Sequence, residues 1–247
     1  MPTEITHRQR VLAVLLGLAC HVAFGFAVWK MFWGIESGMS GGRGSLTGLW
    51  ALAANCALLF QFVVLHSFLL SKIGRRLLAK LGGTRGNELT TTLFTLVASV
   101  QLIAVFELWS PSGIEIFHYH TEGQVAALVL YVSSWLLLGR AMYDAGFQLQ
   151  TGMLGWWAIS RGRRPSYPPM PTTGTFRLVR HPIYLAFALI LWTSPSGTLD
   201  HLLMAALWTI YLVFGPMLKE RRFEEFFGDT FRAYKARTPY FFPVRRR

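Results

Sequence analysis

The sequence predicts an all-α integral membrane protein with about six transmembrane segments, the last two forming a C-terminal helical hairpin. Hydrophobic residues make up 53% of the 247 residues and charged residues only 15%, whereas soluble domains carry about 25% charged residues. Several apolar runs approach the roughly 20 residues that a helix needs to cross a bilayer, and each is almost free of charge. The composition therefore argues against a soluble enzyme.

The predicted membrane segments follow one another along the chain. The first begins after a polar stretch and has no small-residue cleavage site, so we expect a retained span rather than a signal peptide. The last apolar region contains the sequence Ser-Pro-Ser-Gly at 194–197, which favours a turn and therefore a hairpin. The apolar runs are residues 11–33, 46–71, 91–109, 125–146 and 183–218.

The first arm of the hairpin is short. It has about 12 residues, or roughly 18 Å at the helical rise, which is less than the ~30 Å of the hydrocarbon core. The arm must begin earlier, tilt, or end inside the membrane. Five complete spans with a re-entrant arm are thus the alternative to six.

Basic residues lie almost entirely on one predicted side of the membrane. The chain has 24 Lys and Arg against 12 Asp and Glu. If six segments cross the membrane, every Lys and Arg except Lys30, Arg43 and Arg140 lies on the same side as the two termini. The positive-inside rule makes this side the cytoplasm, and a bacterial inner membrane is the expected location. The excess charge then reflects topology and attraction to anionic lipid, not nucleic acid. The sequence leaves the oligomeric state undetermined.

The chain divides into an N-terminal four-helix region, residues 1–146, and a C-terminal region, residues 147–247, that holds most of the cytoplasmic polypeptide. No metal site is expected in either. Cys20 and Cys56 lie in apolar runs without metal-ligand spacing. His118 and His120 alternate in a loop, but two ligands without nearby acids or thiols are too few for a metal.

The polar segment 147–182 ends in a candidate site. It is too long for a plain connector, and it closes with Arg180, His181 and Pro182. Because proline suits the first turn of a helix, Arg180 and His181 are placed at a helix N-terminus, where an anionic group is favoured. The alternative is a basic flank whose arginines reach the lipid headgroups.

A second candidate region follows the hairpin. Glu220 lies at the membrane boundary, where a carboxylate needs a partner, and the hairpin can bring it near Arg180 and His181. Glu224 and Glu225 are better explained as a solvated helix face. The aromatic residues beyond them form either an interfacial belt or the wall of a pocket for a flat ring; they are Phe231, Tyr234, Tyr240, Phe241 and Phe242.

Two polar features lie outside these regions. His66, followed by Ser67 near the cytoplasmic end of the second segment, is either a functional residue or a histidine hydrogen-bonded to a neighbouring helix. Arg140 and Asp144 are spaced as an i,i+4 pair and are most simply a mutually neutralising pair, with a pocket-lining role as the alternative.

Taken together, these motifs resemble the integral-membrane methyltransferases that include isoprenylcysteine carboxyl methyltransferase and the phospholipid methyltransferases. Within this superfamily the chain is most similar to the methanethiol S-methyltransferases. The first resemblance rests on Arg180-His181-Pro182-x-Tyr184, the hairpin, Glu220 eight residues before Gly228, Tyr234, Thr238-Pro239 and Pro243. The second adds Thr193-Ser194-Pro195, Thr198, residues 201–203, Thr209, Tyr211, residues 61–67 and Trp109-Ser110-Pro111.

The resemblance implies S-adenosylmethionine as cofactor and a small thiol such as methanethiol as methyl acceptor, giving dimethyl sulfide. In that pattern Glu220 meets the amino group of the cofactor. The catalytic residues that we expect are Arg180, His181 and Glu220. Because a thiolate is favoured beside a cation, Arg180 is expected to stabilise the anionic nucleophile or the cofactor carboxylate, with His181 as a cofactor contact or proton acceptor. Arg180 and His66 are the expected substrate residues. The cofactor-binding residues that the resemblance implies are His181, Pro182, Tyr184, Leu185, Glu220 and Tyr234.

The chain departs from the family pattern at two positions. The family usually has paired acids where this chain has Lys219 and Glu220, and small-thiol enzymes often have Gln where Leu65 precedes His66. Three alternative functions stay open at this point. They are methylation of an isoprenylcysteine carboxylate, methylation of a phospholipid amine, and a non-catalytic membrane role in nitrogen-oxide metabolism.

Overall fold

Helices dominate the structure, a computed structural model that describes residues 4–119 and 121–242. Pro243 and His120, named above, lie outside the described residues. The elements are α1 (His7–Glu36), α2 (Gly48–Leu69), α3 (Lys72–Leu81), a 3-10 turn (Gly83–Arg85), α4 (Gly86–Leu108), β1 (Glu115–His118), α5 (Glu122–Asp144), α6 (Phe147–Gln150), α7 (Met153–Ser160), α8 (Thr175–Leu178), α9 (Pro182–Trp192), β2 (Ser196–Thr198), α10 (Leu199–Phe227) and α11 (Asp229–Arg237).

Five helices in the described residues are long and apolar enough to cross a membrane: α1, α2, α4, α5 and α10. They confirm the predicted all-α integral membrane fold. Helix α9 has only 11 residues, as the short first arm of the hairpin predicted, and is too short to cross as a straight helix. The choice between five and six crossings therefore stays a prediction.

Two compact units make up the chain, and each is discontinuous in sequence. The first contains the residues up to Gly34, Gly41–Pro111 and Phe147–Pro168, and the second contains Ile35–Ser40, Ser112–Gly146 and the residues from Pro169 onward. Each unit is described by itself below. The functional boundary after residue 146, drawn from the sequence, stays a prediction.

The first unit is held together by polar contacts between α2 and the chain at and after α4. The Asn55 amide donates to the Ser110 carbonyl (2.8 Å) and accepts from the Ser110 N–H (3.0 Å). Gln101 Nε2 donates to Gln61 Oε1 (2.9 Å). Such side-chain hydrogen bonds join apolar helices in a bilayer, where apolar contact alone gives little preference for a protein neighbour over lipid.

The second unit contains a short β-ribbon that the sequence did not predict. β1 and β2 pair antiparallel, with Phe117 opposite Gly197, so the Ser-Pro-Ser-Gly turn signal runs directly into a strand. A side chain at Gly197 would overlap the Phe117 ring. Next to the ribbon in sequence, Asp200 Oδ2 accepts hydrogen bonds from the Ser112 N–H (2.8 Å) and hydroxyl (2.6 Å). These bonds connect the start of α10 to the chain before β1.

Candidate functional site

The candidate site lies in the second unit, where α9 begins. Pro182 occupies the first turn of α9 and His181 is its N-cap. Proline lacks an N–H and has a helical φ, so it suits a helix start. This confirms the predicted helix start. Arg180 precedes His181 and donates its backbone N–H to the Pro239 carbonyl (2.9 Å). The backbone N–H of Leu185 donates to the His181 carbonyl (3.0 Å).

Glu220 is the centre of a buried charge network. Its Oε1 accepts hydrogen bonds from Arg180 Nε (2.9 Å) and His181 Nε2 (2.9 Å), and its Oε2 lies 2.9 Å from Lys235 Nζ. The Glu220 side chain is only 8% exposed, so a carboxylate here requires these partners. The structure thus brings together the three predicted catalytic residues and adds Lys235 of α11 to them.

Most N–H donors of the Arg180 side chain are bound to acceptors of the protein. Besides Nε, its Nη1 donates to the carbonyls of Lys235 (3.0 Å) and Thr238 (2.8 Å). Its guanidinium lies over the Tyr240 ring, 5.3 Å from the centroid. A guanidinium has five N–H donors, so the two on Nη2 are those left for a ligand. Arg180 therefore acts first as the link between the start of α9 and the residues of α11.

His181 presents an acceptor that nothing in the described structure uses. A carboxylate only accepts hydrogen bonds, so the contact with Glu220 places the ring proton on Nε2. Burial lowers the pKa of His181 to about 4, with Lys219 and Arg180 adding to this effect and Glu220 opposing it. The ring is neutral at neutral pH, and its buried Nδ1 has no hydrogen-bond partner among the described residues.

Aromatic rings surround this imidazole. Tyr240 lies 4.7 Å away between ring centroids, Tyr184 lies 5.9 Å away and Phe241 6.1 Å away. The structure therefore places Tyr184, Tyr240 and Phe241 around the imidazole, and the choice between an interfacial belt and a pocket wall stays open. Rings beside one acceptor suit a ligand that is partly aromatic and partly polar.

Tyr234 lies behind the site. Its hydroxyl donates to the Phe176 carbonyl (2.7 Å), which connects α11 to α8. Burial raises the pKa of Tyr234 to about 12, so the phenol keeps its proton and remains a donor. The structure gives Tyr234 a supporting position, and the cofactor contact that the resemblance implies for it stays a prediction.

Asp144 anchors the segment that leads into the site, which the sequence did not reveal. Its Oδ2 accepts hydrogen bonds from the Thr175 N–H (2.8 Å) and hydroxyl (2.9 Å), while Arg140 Nη2 lies 3.1 Å from Oδ1. The Arg140 side chain is 61% exposed and that of Asp144 only 7%. The spacing correctly predicted the pair with Arg140, but the buried acceptor mainly positions α8.

Lys219 also contacts the site. Its environment of aromatic rings was not predicted by any sequence motif. Its Nζ lies 5.1 Å from the ring centroid of Phe223, 5.7 Å from that of Phe176 and 5.8 Å from that of Tyr184. No carboxylate lies within ion-pair distance of this nitrogen in the described part of the chain. The only sequence signal was the departure from the family's paired acids.

His66 belongs to the first unit. Its ring packs between Phe62 (5.1 Å between centroids) and Phe94 (4.9 Å), so it is embedded among aromatic side chains of α2 and α4. Its assignment to the substrate stays a prediction. Across residues 4–119 and 121–242, no group of three or more His, Cys, Asp or Glu is arranged to hold a metal ion.

Comparison with known proteins supports the family resemblance. The chain is 32% identical over 154 residues to "Methanethiol S-methyltransferase 1" of Bradyrhizobium diazoefficiens and 29% identical over 160 residues to "Methanethiol S-methyltransferase" of Pseudomonas deceptionensis. Each alignment covers 62% of this chain. The chain is thus similar in sequence to proteins named methanethiol S-methyltransferase.

The extent of the similarity differs among these relatives. The alignments span 54% of the Bradyrhizobium protein and 59% of the Pseudomonas deceptionensis protein, so the chain matches little more than half of their length. A third relative, the methanethiol S-methyltransferase of a Pseudomonas species, is 24% identical over 99% of this chain and 96% of its own length. No family model matches the chain, and no solved structure matches it.

Proposed function

We propose that this chain is a membrane methyltransferase that transfers a methyl group from S-adenosylmethionine to a small thiol such as methanethiol, giving dimethyl sulfide. The observation that carries the proposal is the buried Glu220 carboxylate, held by Arg180 and His181 beside the unused Nδ1 of that histidine. The relatives named methanethiol S-methyltransferase support the choice of acceptor.

The residues at the site fit the methyl donor. The donor carries an ammonium, a carboxylate, a sulfonium and a flat base. Glu220 offers an anionic acceptor for the ammonium, and the Nη2 donors of Arg180 suit the carboxylate. The rings of Tyr184, Tyr240 and Phe241 offer faces for the cation or the base. His181 Nδ1 can accept one further hydrogen bond.

The protein has to align the reactants and does not need a covalent intermediate. S-adenosylmethionine supplies an already activated methyl group, and attack on it is an in-line displacement. The chain contributes by fixing the geometry of the two reactants. Glu220 is held by three donors, two from the Arg180-His181 segment and one from α11, and the aromatic rings beside it limit the access of water.

The thiol has to lose its proton before or during attack. Because the pKa of His181 is lowered to about 4, this imidazole is a weak base toward a thiol, whose ordinary pKa is about 8 to 10. The proton therefore leaves to solvent, and His181 serves to accept a hydrogen bond and to hold Glu220. A small apolar thiol needs no hydrophilic cleft and can enter from the bilayer, with the site on the cytoplasmic side of a bacterial inner membrane.

The test is headspace detection of labelled dimethyl sulfide from purified protein given methyl-labelled S-adenosylmethionine and methanethiol. Wild type should release volatile label and Glu220→Ala should not. Glu225→Ala is the matched control, since Glu225 is an exposed glutamate on the same helix, and it should stay active. Donor binding, measured separately by calorimetry, should be lost only in Glu220→Ala.

Each failure would point elsewhere. Donor binding without transfer to the thiol would exclude the small-thiol acceptor, and a lipid amine or an isoprenylcysteine carboxylate would then be tried as acceptor. Absence of donor binding in the folded wild type would exclude the methyltransferase activity altogether. Full activity of Glu220→Ala would remove Glu220 from the site.

A further inference from the structure

Lys219 is a cation without a counter-ion in direct contact. Its Nζ is surrounded by the rings of Phe176, Tyr184 and Phe223, at 5.1 to 5.8 Å from their centroids; we call these three rings the Lys219 cage. Among the described residues, no acceptor lies within hydrogen-bond distance of this nitrogen. The charges that act on it are Glu220 and Arg222 of its own helix, and the titratable groups near it at α9 are Tyr184 and His181, whose own pKa Lys219 lowers.

The cage holds the ammonium in place but does not use its hydrogen bonds. Ring faces attract a cation through their quadrupoles. Lys219 is partly exposed, and none of its three N–H donors is bound to a described residue, so all three remain for water or a ligand. A caged ammonium at a membrane boundary therefore suits an anionic ligand.

The cage is continuous with the candidate site through one ring. Tyr184 packs edge-on against His181, at 5.9 Å between centroids, and also lies 5.8 Å from Lys219 Nζ. Arg180, the cation that the sequence assigned to the nucleophile or to the cofactor carboxylate, is already bound to Glu220 and to two backbone carbonyls. Within the described part of the chain, Lys219 uses none of its donors.

We propose that Lys219 binds the thiolate form of the methyl acceptor, with the Lys219 cage as the apolar wall around its alkyl group; this rests on the function proposed above. The thiol proton leaves to solvent, and the ammonium stabilises the sulfur anion. The thiolate sulfur then forms a bond to the methyl carbon. The bond from that carbon to the donor sulfur breaks, and its electron pair stays on the donor sulfur.

The charge of Lys219 also affects which methyl acceptors can bind. A cation at this position lowers the pKa of a bound thiol and repels a protonated amine. An acid at the same position, as in the family's usual pair, would act in the opposite direction. Lys219 therefore selects acceptors that react as anions, and amine acceptors should be poor substrates of this chain.

The test compares Lys219→Met, which keeps the length and apolar stem, with Lys219→Arg, which keeps the charge. Lys80→Met is the matched control, because Lys80 is an exposed lysine of α3 in the first unit. The readouts are kcat/KM for methanethiol between pH 6 and 10 and, separately, the affinity for S-adenosylmethionine. A nearby cation lowers the pKa of an acid by about 1–3 units. Lys219→Met should therefore lower kcat/KM about tenfold or more at neutral pH.

The pH profile separates this role from a structural one. In Lys219→Met the rise of kcat/KM should move about one pH unit higher, while donor affinity stays unchanged and Lys219→Arg keeps the rise at the wild-type pH. If the Met variant loses donor binding, Lys219→Gln replaces it as the neutral variant. An unchanged pH profile in a neutral variant of an active enzyme would overturn the role of Lys219 only. Absence of thiol methylation by wild type would overturn the proposed function instead.

Discussion

Gly174→Ala is expected to destabilise the second unit and to weaken donor binding. Gly174 precedes α8 with φ 59° and ψ −131°, a region that is essentially restricted to glycine. A Cβ at this position would lie 2.5 Å from Asp144 Cγ and 2.6 Å from Oδ1, with Oδ2 closer still. The new methyl group therefore displaces the carboxylate that receives both hydrogen bonds of Thr175.

The magnitude follows from two separable costs. Backbone strain at such a φ costs about 1–3 kcal/mol. Loss of the hydrogen bonds from Thr175 to a charged, buried acceptor costs about 1.5–3 kcal/mol for each bond that is not remade. Gly228 has a similar backbone, φ 51° and ψ −123°, but nothing lies within 4 Å of a Cβ placed there. Gly228→Ala thus measures the strain alone.

The assay is thermal unfolding of both variants in the same detergent, together with calorimetric titration of S-adenosylmethionine. Gly174→Ala should lose about 3 kcal/mol more than Gly228→Ala, or roughly 6–12 °C in Tm for a chain of this size. Donor affinity should fall only in Gly174→Ala, because α8 supplies the Phe176 carbonyl that accepts from Tyr234. Equal stability of the two variants would refute the anchoring role of Asp144.

Two further predictions concern the charges around Glu220. Because His181 has its pKa lowered to about 4, the unfolded chain, with an ordinary histidine pKa near 6.5, binds the proton first as the pH falls. Stability should therefore be fully present above about pH 6.5 and decline toward pH 4, and His181→Asn should show a smaller drop in Tm between pH 7.5 and 5. Lys235→Met frees Glu220 Oε2 for the donor ammonium, and stability should fall, because the buried carboxylate loses one of its three partners. Calorimetry should then show tighter donor binding, and weaker binding would mean that Lys235 assists the donor.

The parts of the site that could be predicted from sequence are those fixed by local rules. Pro182 marks the start of α9 because its ring has a helical φ and lacks an N–H. The apolar runs predicted the long helices, because crossing a bilayer requires about 20 apolar residues in a row. The hairpin connection brings Glu220 to Arg180 and His181, and their 2.9 Å contacts agree with that expectation.

The parts that could not be predicted depend on contacts between residues far apart in the chain. Lys235 reaches Glu220 only because α10 ends at Phe227 and α11 turns back after Gly228. The sequence predicts Asp144 as an i,i+4 partner of Arg140. Its buried carboxylate oxygen also accepts a hydrogen bond from Thr175, which is 31 residues away. The pairing of β1 with β2 depends on the fit of Phe117 against Gly197, which neither strand's sequence shows alone.

The amino-acid sequence by itself determined the membrane class, the long helices and the motif that carries the family resemblance, because hydrophobic runs and a proline at a helix start act locally. The tertiary structure alone decided how the charges are used. Arg180 is bound to protein acceptors, and among residues 4–119 and 121–242 nothing pairs with His181 Nδ1 or lies in ion-pair contact with the caged Lys219. The physical reason is that burial and the geometry of partners, which arise only when distant segments pack together, decide which buried donors and acceptors are satisfied.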